Sequence, residues 1–179
     1  CVTSSNAVKI VKALPNKNVF FIPDHNLGSF VAEQVPEKNI ILNDGCCPIH
    51  AKITATQVYA EREKHPEAEV LTHPECDASV IELSDYIGST ADIIAYAKNS
   101  DVREFIICTE DGVDFKLITD NPDKRFYYPN PHPCCADMKL NTLAAVLSVL
   151  EKEDKEVTVD EDIRRRARIP LDRMLELAK

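Results

Sequence analysis

Two stretches of this sequence carry the same features in the same order, 86 residues apart. Ser4 matches Thr90, Asp24 matches Glu110, and Pro36-Glu37-Lys38 matches Pro122-Asp123-Lys124. The pair Cys46-Cys47 then matches Cys134-Cys135 once a two-residue gap is allowed. Each copy reads as hydroxyl, helix, apolar strand, acid, helix, Pro-acid-Lys, strand and paired cysteines. An internal repeat constrains the architecture before any single residue is considered. Whatever one copy folds into, the other should fold into as well, and a cysteine pair should arrive at the same place twice.

The pattern within each copy is strand–helix alternation, which indicates α/β domains with parallel sheets and helices on their faces. Thr3-Ser4-Ser5-Asn6 is a run of capping residues before Ala7-Val8-Lys9-Ile10-Val11, which is apolar at helical spacing. Val19-Phe20-Phe21-Ile22 reads as a buried strand, Leu27 to Val35 as a short helix, and Asn39-Ile40-Ile41-Leu42 as the next strand. Asn43 to His50 is a loop. Further on, Thr56 to Lys64 is a helix capped by Thr54 or Thr56, Glu69 to Thr72 a strand, and Ala78 to Asp85 a helix capped by Asp77. Gly88-Ser89-Thr90 opens a helix over Ala91 to Lys98, and Glu104 to Cys108 is a strand. A helix reaching about Thr119, the strand Arg125 to Tyr128 and a Pro-rich loop to Cys135 close the second copy. Leu143 to Glu151 is a helix, followed by a charged turn from Glu151 to Glu156. Asp160 caps a last helix, expected to be interrupted at Pro170.

The chain has 179 residues, a net charge of −9 and an apolar fraction of 44%. That is enough apolar content for a real core, and the acidic balance argues against a nucleic-acid partner. No apolar run approaches the about 20 residues that span a bilayer, so no membrane partner is expected, and nothing resembles a signal peptide. Seven cysteines without a secretory signal argue against a disulfide framework and for a reducing, cytoplasmic compartment. Cys108, inside the strand Phe105-Ile106-Ile107-Cys108, reads as a buried small hydrophobe, and so does Cys1. Met138 reads as core packing and Arg164 to Arg168 as a solvated helix face. The chain begins in what looks like the end of a strand, so it reads as a fragment.

Ligands of open α/β sheets bind beyond the carboxyl ends of the strands. Asp24, Cys46 and Cys47, His73 and Glu75, Glu110, and Cys134 and Cys135 all follow strands there. Ser4 and Thr90 stand at helix starts, where free N–H groups attract anions. For any one residue an ordinary cap or turn is the simpler explanation, but hydroxyls, acids, imidazoles and thiols gather on one edge. There is no C-x₂-C pair of the kind zinc sites use. One thiolate from each copy suits an iron–sulfur cluster shared between copies, and two copies supply only two ligands, which calls for a third copy. Spacing alone leaves this open against buried structural thiols. His50, three residues after Cys47, would lie one turn from a bound metal.

These stretches resemble the quinolinate synthase family of NAD (pyridine nucleotide) biosynthesis. The residues that carry the resemblance are Thr3-Ser4-Ser5-Asn6-Ala7, Pro23-Asp24-His25-Asn26-Leu27-Gly28, Gly45-Cys46-Cys47-Pro48-Ile49-His50, His73-Pro74-Glu75, Gly88-Ser89-Thr90 and Cys135-Ala136-Asp137-Met138-Lys139, with Pro170-Leu171-Asp172-Arg173-Met174 near the end. The resemblance implies repeated three-layer α/β/α domains around a pseudo-threefold axis with a 4Fe-4S cluster at the centre. On that scheme residues 1–52 are most of the second domain, 53–139 the third, and 140–179 C-terminal helices. Cys47 and Cys135 are the implied cluster ligands, and the third cysteine lies outside the fragment. The implied reaction is a transferase step condensing iminoaspartate with dihydroxyacetone phosphate to quinolinate, with the cluster as Lewis acid. L-aspartate oxidase or aspartate dehydrogenase would supply the iminoaspartate. Ser4, His73, Pro74, Glu75 and Thr90 are implied to bind substrate, with His73, Glu75 and His50 catalytic. The fragment alone is expected to be inactive. The alternative is a metal- or thiol-binding module without catalysis.

Overall fold

The computed structural model describes residues 1–153 and 155–179, so Asp154, in the charged turn, lies outside the described residues. The chain divides into two compact units, Thr3–Cys134 and Cys135–Lys179 with Cys1–Val2. In the larger unit α1 (Ala7–Ala13), β1 (Asn18–Phe21), α2 (His25–Gln34) and β2 (Asn39–Leu42) are followed by α3 (Ala55–Lys64), β3 (Glu69–Thr72), α4 (Ala78–Ile81) and β4 (Tyr86–Ile87). Then come α5 (Thr90–Asn99), β5 (Glu104–Cys108), α6 (Asp114–Asp120) and β6 (Arg125–Tyr127). All pairings are parallel: β1 with β2 in one sheet, and β4-β3-β5-β6 in the other. Parallel neighbours need a crossover, and here helices supply it.

The second sheet is buried on both faces where its two central strands are apolar in their interiors, Val70-Leu71 in β3 and Phe105 to Ile107 in β5. Val70, Ile106 and Cys108 point to one face, where Val58 of α3 and Val80 of α4 cover them. Leu71, Phe105 and Ile107 point to the other, where Ile93 and Ala97 of α5 and Leu117 of α6 pack. This is a three-layer α/β/α arrangement, as the alternation predicts. Capping boxes start two of the helices: Thr54 with Gln57 for α3, and Ser89 with Asp92 for α5.

The first sheet departs from expectation. Phe21 is buried, but Phe20 is 63% and Ile22 59% exposed. Only the Phe21–Leu42 face is covered, by α2. Gly28 allows that close approach, since a Cβ there would sit 2.7 Å from Leu42 Cδ2 and 3.0 Å from Phe21 Cδ1. The reading of Val19 to Ile22 as a buried strand is therefore half right: two strands cannot enclose both their faces.

The helix from Ala78 also ends sooner than expected, at Ile81. Asp85 accepts from the Val70 N–H and pairs with Arg62, while its own N–H donates to Val70 O. These bonds draw the chain onto the sheet edge and make β4, a strand too short to show a periodicity.

The repeat is present in three dimensions. Lys38 Nζ donates to the carbonyl of Leu14, which ends α1, and Lys124 Nζ donates to the carbonyl of Ser100, which ends α5. The Lys38 N–H reaches Val35 O and the Lys124 N–H reaches Asn121 O. Asn39 N–H reaches Lys17 O, and Arg125 N–H reaches Arg103 O, both at 2.8 Å. Every one of these partners is separated from its counterpart by the same 86 residues. The Pro-acid-Lys signature is thus a device that ties the start of each copy's second strand to the end of its first helix.

In the smaller unit α7 (Leu143–Lys152) is capped by Thr142 and α8 (Glu161–Leu177) by Asp160. Helix α8 runs through Pro170 without a break, contrary to the sequence expectation. Proline removes one N–H, and the pair Arg168–Asp172 spans that point. Cys1 and Met138 are exposed, which corrects their reading as core. Cys1 is not within a strand, and Met138 stands on a short 3₁₀ turn. Among the described residues no helix is long and apolar enough to cross a membrane.

Candidate functional site

Each copy turns back on itself after its first strand through a buried acid, Asp24 or Glu110. Asp24 Oδ1 accepts from the Leu27 N–H at 2.7 Å and so caps α2. Its Oδ2 accepts from the Cys47 N–H, also at 2.7 Å, which pins the cysteine loop to the helix start. Glu110 accepts from the Gly112 N–H at 2.7 Å, two residues on rather than three, and caps a 3₁₀ turn. The residue after the acid then reaches the cysteine loop through its backbone. His25 N–H donates to Gly45 O at 2.7 Å, and Asp111 N–H donates to Pro133 O at 2.9 Å. Gly45 precedes Cys47 by two residues, and Pro133 precedes Cys135 by two. The two-residue gap in the repeat is therefore taken up ahead of these bonds, and Gly45 and Pro133 occupy equivalent positions, each two residues before the second cysteine of its pair. Gly45 is required, because a Cβ there would lie 2.4 Å from Pro23 O.

Around Cys47 the structure gathers His50, His73 and Glu75. A 3₁₀ turn, His50–Lys52, brings His50 Nδ1 to 3.2 Å from Cys47 Sγ and 3.1 Å from Glu75 Oε2. His50 Nε2 is 2.9 Å from the hydroxyl of Thr109, at the end of β5. The rings of His50 and His73 stack, with centroids 4.4 Å apart. His73 follows β3 and is held by its N–H on Cys108 O. Its Nδ1 accepts from the Glu75 N–H at 3.3 Å, which assigns the ring proton to Nε2. Asn26, from the first copy, donates to the Glu75 carbonyl at 2.9 Å. The ligand atoms of Cys47, His50 and Glu75 all lie within 4.8 Å of one another, a set that could hold a metal ion.

The electrostatics follow from this packing. Glu75 is held below the ordinary carboxylate range, first by its hydrogen bond with His50, against the cost of burial. His73 is pushed down to about 4, mainly by burial and next by His50, so it is a neutral imidazole at pH 7. Burial raises the Cys47 thiol, while the N–H groups of His50 and Ile49 pull it the other way. Cys76 and Cys108 are buried, and burial pushes Cys108 up to about 12 and Cys76 further, so both stay thiols. By contrast Cys47 and Cys135 are half-buried.

The other expected residues lie elsewhere. Pro74 is buried in the turn between His73 and Glu75. Ser4 stands in the turn before α1, and Thr90 is exposed as the first residue of α5. Neither is a helix cap: the cap position of α1 is Asn6, and the cap of α5 is Ser89, whose Oγ accepts from the Asp92 N–H at 3.2 Å. Sequence reading passed over Thr109 and gave Asn26 no role of its own. A second set of potential ligands, Glu110, Asp111 and Cys134, is partly committed, since Glu110 caps the turn at Gly112 and Asp111 faces His132 at 3.7 Å.

Residues 1–176 match the model of the family described as quinolinate synthetase A protein. The chain is 49% identical over 176 residues to the quinolinate synthase of Caldicellulosiruptor saccharolyticus, covering 98% of this chain and 58% of that protein. It is 44% identical over 178 residues to that of Clostridioides difficile (99% and 59%) and 44% over 183 residues to that of Aquifex aeolicus (99% and 57%). The chain thus spans less than two thirds of the length of these relatives. A duplicated α/β scaffold, two half-buried cysteines and a match over nearly every residue lead to one conclusion: this chain belongs to the quinolinate synthase family.

Proposed function

We propose that this chain forms part of a quinolinate synthase that condenses iminoaspartate with dihydroxyacetone phosphate around a 4Fe-4S cluster. The observation that carries the reading is the Cys47–His50–Glu75 group, one thiol beside a base and an imidazole. The donor chemistry fits the cluster. Cys47 and Cys135 each follow by two residues a carbonyl held by the same backbone bond, and each is half-buried, unlike Cys76 and Cys108. Cys47 and Cys135 would be two ligands, and a third thiolate would come from residues beyond these 179, because a cubane held by the protein takes three or four. When bound, the cluster supplies a Lewis-acidic iron for a substrate oxygen or nitrogen. This chain alone is therefore proposed to hold no stable cluster and to turn nothing over. L-aspartate oxidase or aspartate dehydrogenase is the proposed source of iminoaspartate.

The residues of this chain have separable tasks. Glu75, kept ionised, can accept a proton from carbon or nitrogen during condensation. His73, neutral with its proton on Nε2, can donate a hydrogen bond to an anionic substrate oxygen without carrying a charge of its own. Thr90, on the first turn of α5, can meet a carboxylate or phosphate near that helix's free N–H groups. Ser4, in the turn before α1, offers a second hydroxyl. Stacking fixes the two imidazole planes, so the carboxylate and both rings are presented in one arrangement.

The test uses full-length protein prepared without oxygen. Cys47→Ala and Cys135→Ala should each lose the thiolate–iron absorbance near about 400 nm and quinolinate formation, while Cys46→Ala and Cys134→Ala keep both. Glu75→Gln should keep the cluster and lose turnover by about 100-fold or more. Loss of the cluster in Cys46→Ala with retention in Cys47→Ala would refute the ligand assignment. A loaded wild-type protein without turnover would leave a metal-binding module rather than an enzyme.

A further inference from the structure

We propose that Thr109 is a positioning residue: its hydroxyl donates to Nε2 of His50 and so holds the ring with its Nδ1 proton aimed at Glu75 and at the Cys47 sulfur. The argument is one of donors and acceptors. Nδ1 of His50 lies 3.1 Å from a carboxylate oxygen and 3.2 Å from Sγ. A carboxylate only accepts, so Nδ1 must carry the proton. In a neutral ring Nε2 then has a lone pair and no hydrogen. It is buried with His50, which is 7% exposed, and its partner at 2.9 Å is the Thr109 hydroxyl, itself fully buried. A hydroxyl can rotate to donate. Without it the nitrogen's lone pair would be buried without a donor, a loss that loosens the ring from this position while Glu75 still holds the Nδ1 proton.

Two further observations set Thr109 apart from ordinary packing. Its counterpart in the first copy, 86 residues earlier, is Pro23, which has no hydroxyl. The scaffold of the repeat therefore does not require one at this position. Thr109 also reaches across the copies: it stands at the end of β5, whereas His50 belongs to the cysteine loop after β2. Outer partners that orient an imidazole beside a metal ligand commonly matter by about 10–100-fold in affinity or activity.

The experiment compares Thr109→Val, which keeps the shape and removes the hydroxyl, with Thr109→Ser, which keeps the hydroxyl. The first measurement is long-range ¹H–¹⁵N correlation on histidine-labelled, metal-free full-length protein at about pH 8, where an ordinary imidazole is neutral. Wild type and Thr109→Ser should show His50 with its proton on Nδ1. Thr109→Val should keep that tautomer, held by Glu75, but its Nε2 resonance should move to the position of a lone pair that receives no hydrogen bond. The second measurement is kinetic and rests on the function proposed above: kcat should fall about 10-fold or more in Thr109→Val, with KM little changed and Thr109→Ser restoring it. The tautomer measurement needs no turnover, so an error about the reaction leaves it intact. A wild-type His50 protonated on Nε2 overturns the proposal even if Thr109→Val fails to fold. So does a Thr109→Val protein with an unmoved Nε2 resonance and full kcat.

Discussion

Asp24 is the residue on which the cysteine loop depends most directly, and its removal has a calculable effect. Its two carboxylate oxygens serve two N–H groups, Leu27 at the start of α2 and Cys47 in the loop, each at 2.7 Å. Asp24→Ala removes a helix cap, which costs about 1 kcal/mol. It also leaves the part-buried Cys47 N–H without its acceptor, for about 1–3 kcal/mol more. The sum is about 2–4 kcal/mol. At about 2–4 °C per kcal/mol for a domain of this size, the melting temperature should fall by about 4–16 °C. Differential scanning calorimetry of metal-free full-length protein measures that shift. Alkylation followed by mass spectrometry should show Cys47 reacting faster in the variant, because its loop has lost its anchor, while the rate at buried Cys108 stays low. Asp24→Asn should be no milder in the loop if the amide nitrogen faces the Cys47 N–H, since two donors then oppose each other. An Asp24→Ala protein with an unchanged melting temperature and an unchanged Cys47 alkylation rate would refute this account of the loop.

Ser89→Ala should cost about 1 kcal/mol as a lost cap, whereas Thr90→Ala should leave stability nearly unchanged and raise KM. Melting curves and steady-state kinetics separate the two, and a melting loss in Thr90→Ala alone would reverse the assignment. Acid should destabilise the metal-free protein through His73. Its folded pKa, about 4, lies below the ordinary 6.5, so its stabilising effect is full above pH 6.5 and is lost as pH falls toward 4. The difference amounts to about 3 kcal/mol at most. Urea midpoints across that range should fall steeply in the wild type and less steeply in His73→Gln, and parallel slopes would contradict the burial argument.

Much of the fold was legible because the central strands of the second sheet have apolar interiors and are bounded by clear caps. Glu69–Thr72 and Glu104–Cys108 match their sequence reading residue for residue, as does Asn39–Leu42. What failed has local causes. The exposure of Phe20 and Ile22 depends on how many strands and helices surround β1, which no window of sequence contains. The strand β4 is held by Asp85 and Gly88 backbone bonds to β3 rather than by its two residues. Ser89 and Thr90 are adjacent hydroxyls, and only the geometry of the first turn decides which one caps. The gathering of Cys47, His50, His73 and Glu75 was anticipated only as a shared sheet edge; their distances depend on a 3₁₀ turn and on contacts between copies.

The duplication also separates scaffold from chemistry. Where both copies make the same bond with the same kind of residue, as at Lys38 and Lys124, the residue's identity is explained by folding. Where equivalent positions differ, one copy folds without the side chain that the other carries. Three such positions stand out: Asn26 opposite Gly112, Thr109 opposite Pro23, and His50 opposite Met138 after the two-residue gap. Met138 is exposed, while His50 is buried. The three distinctive side chains converge on one residue. His50 meets the Glu75 carboxylate, Asn26 holds the Glu75 carbonyl, and Thr109 orients His50 from behind. Glu75 is therefore the point that the scaffold's departures from symmetry serve, in keeping with the proton-accepting role proposed for it.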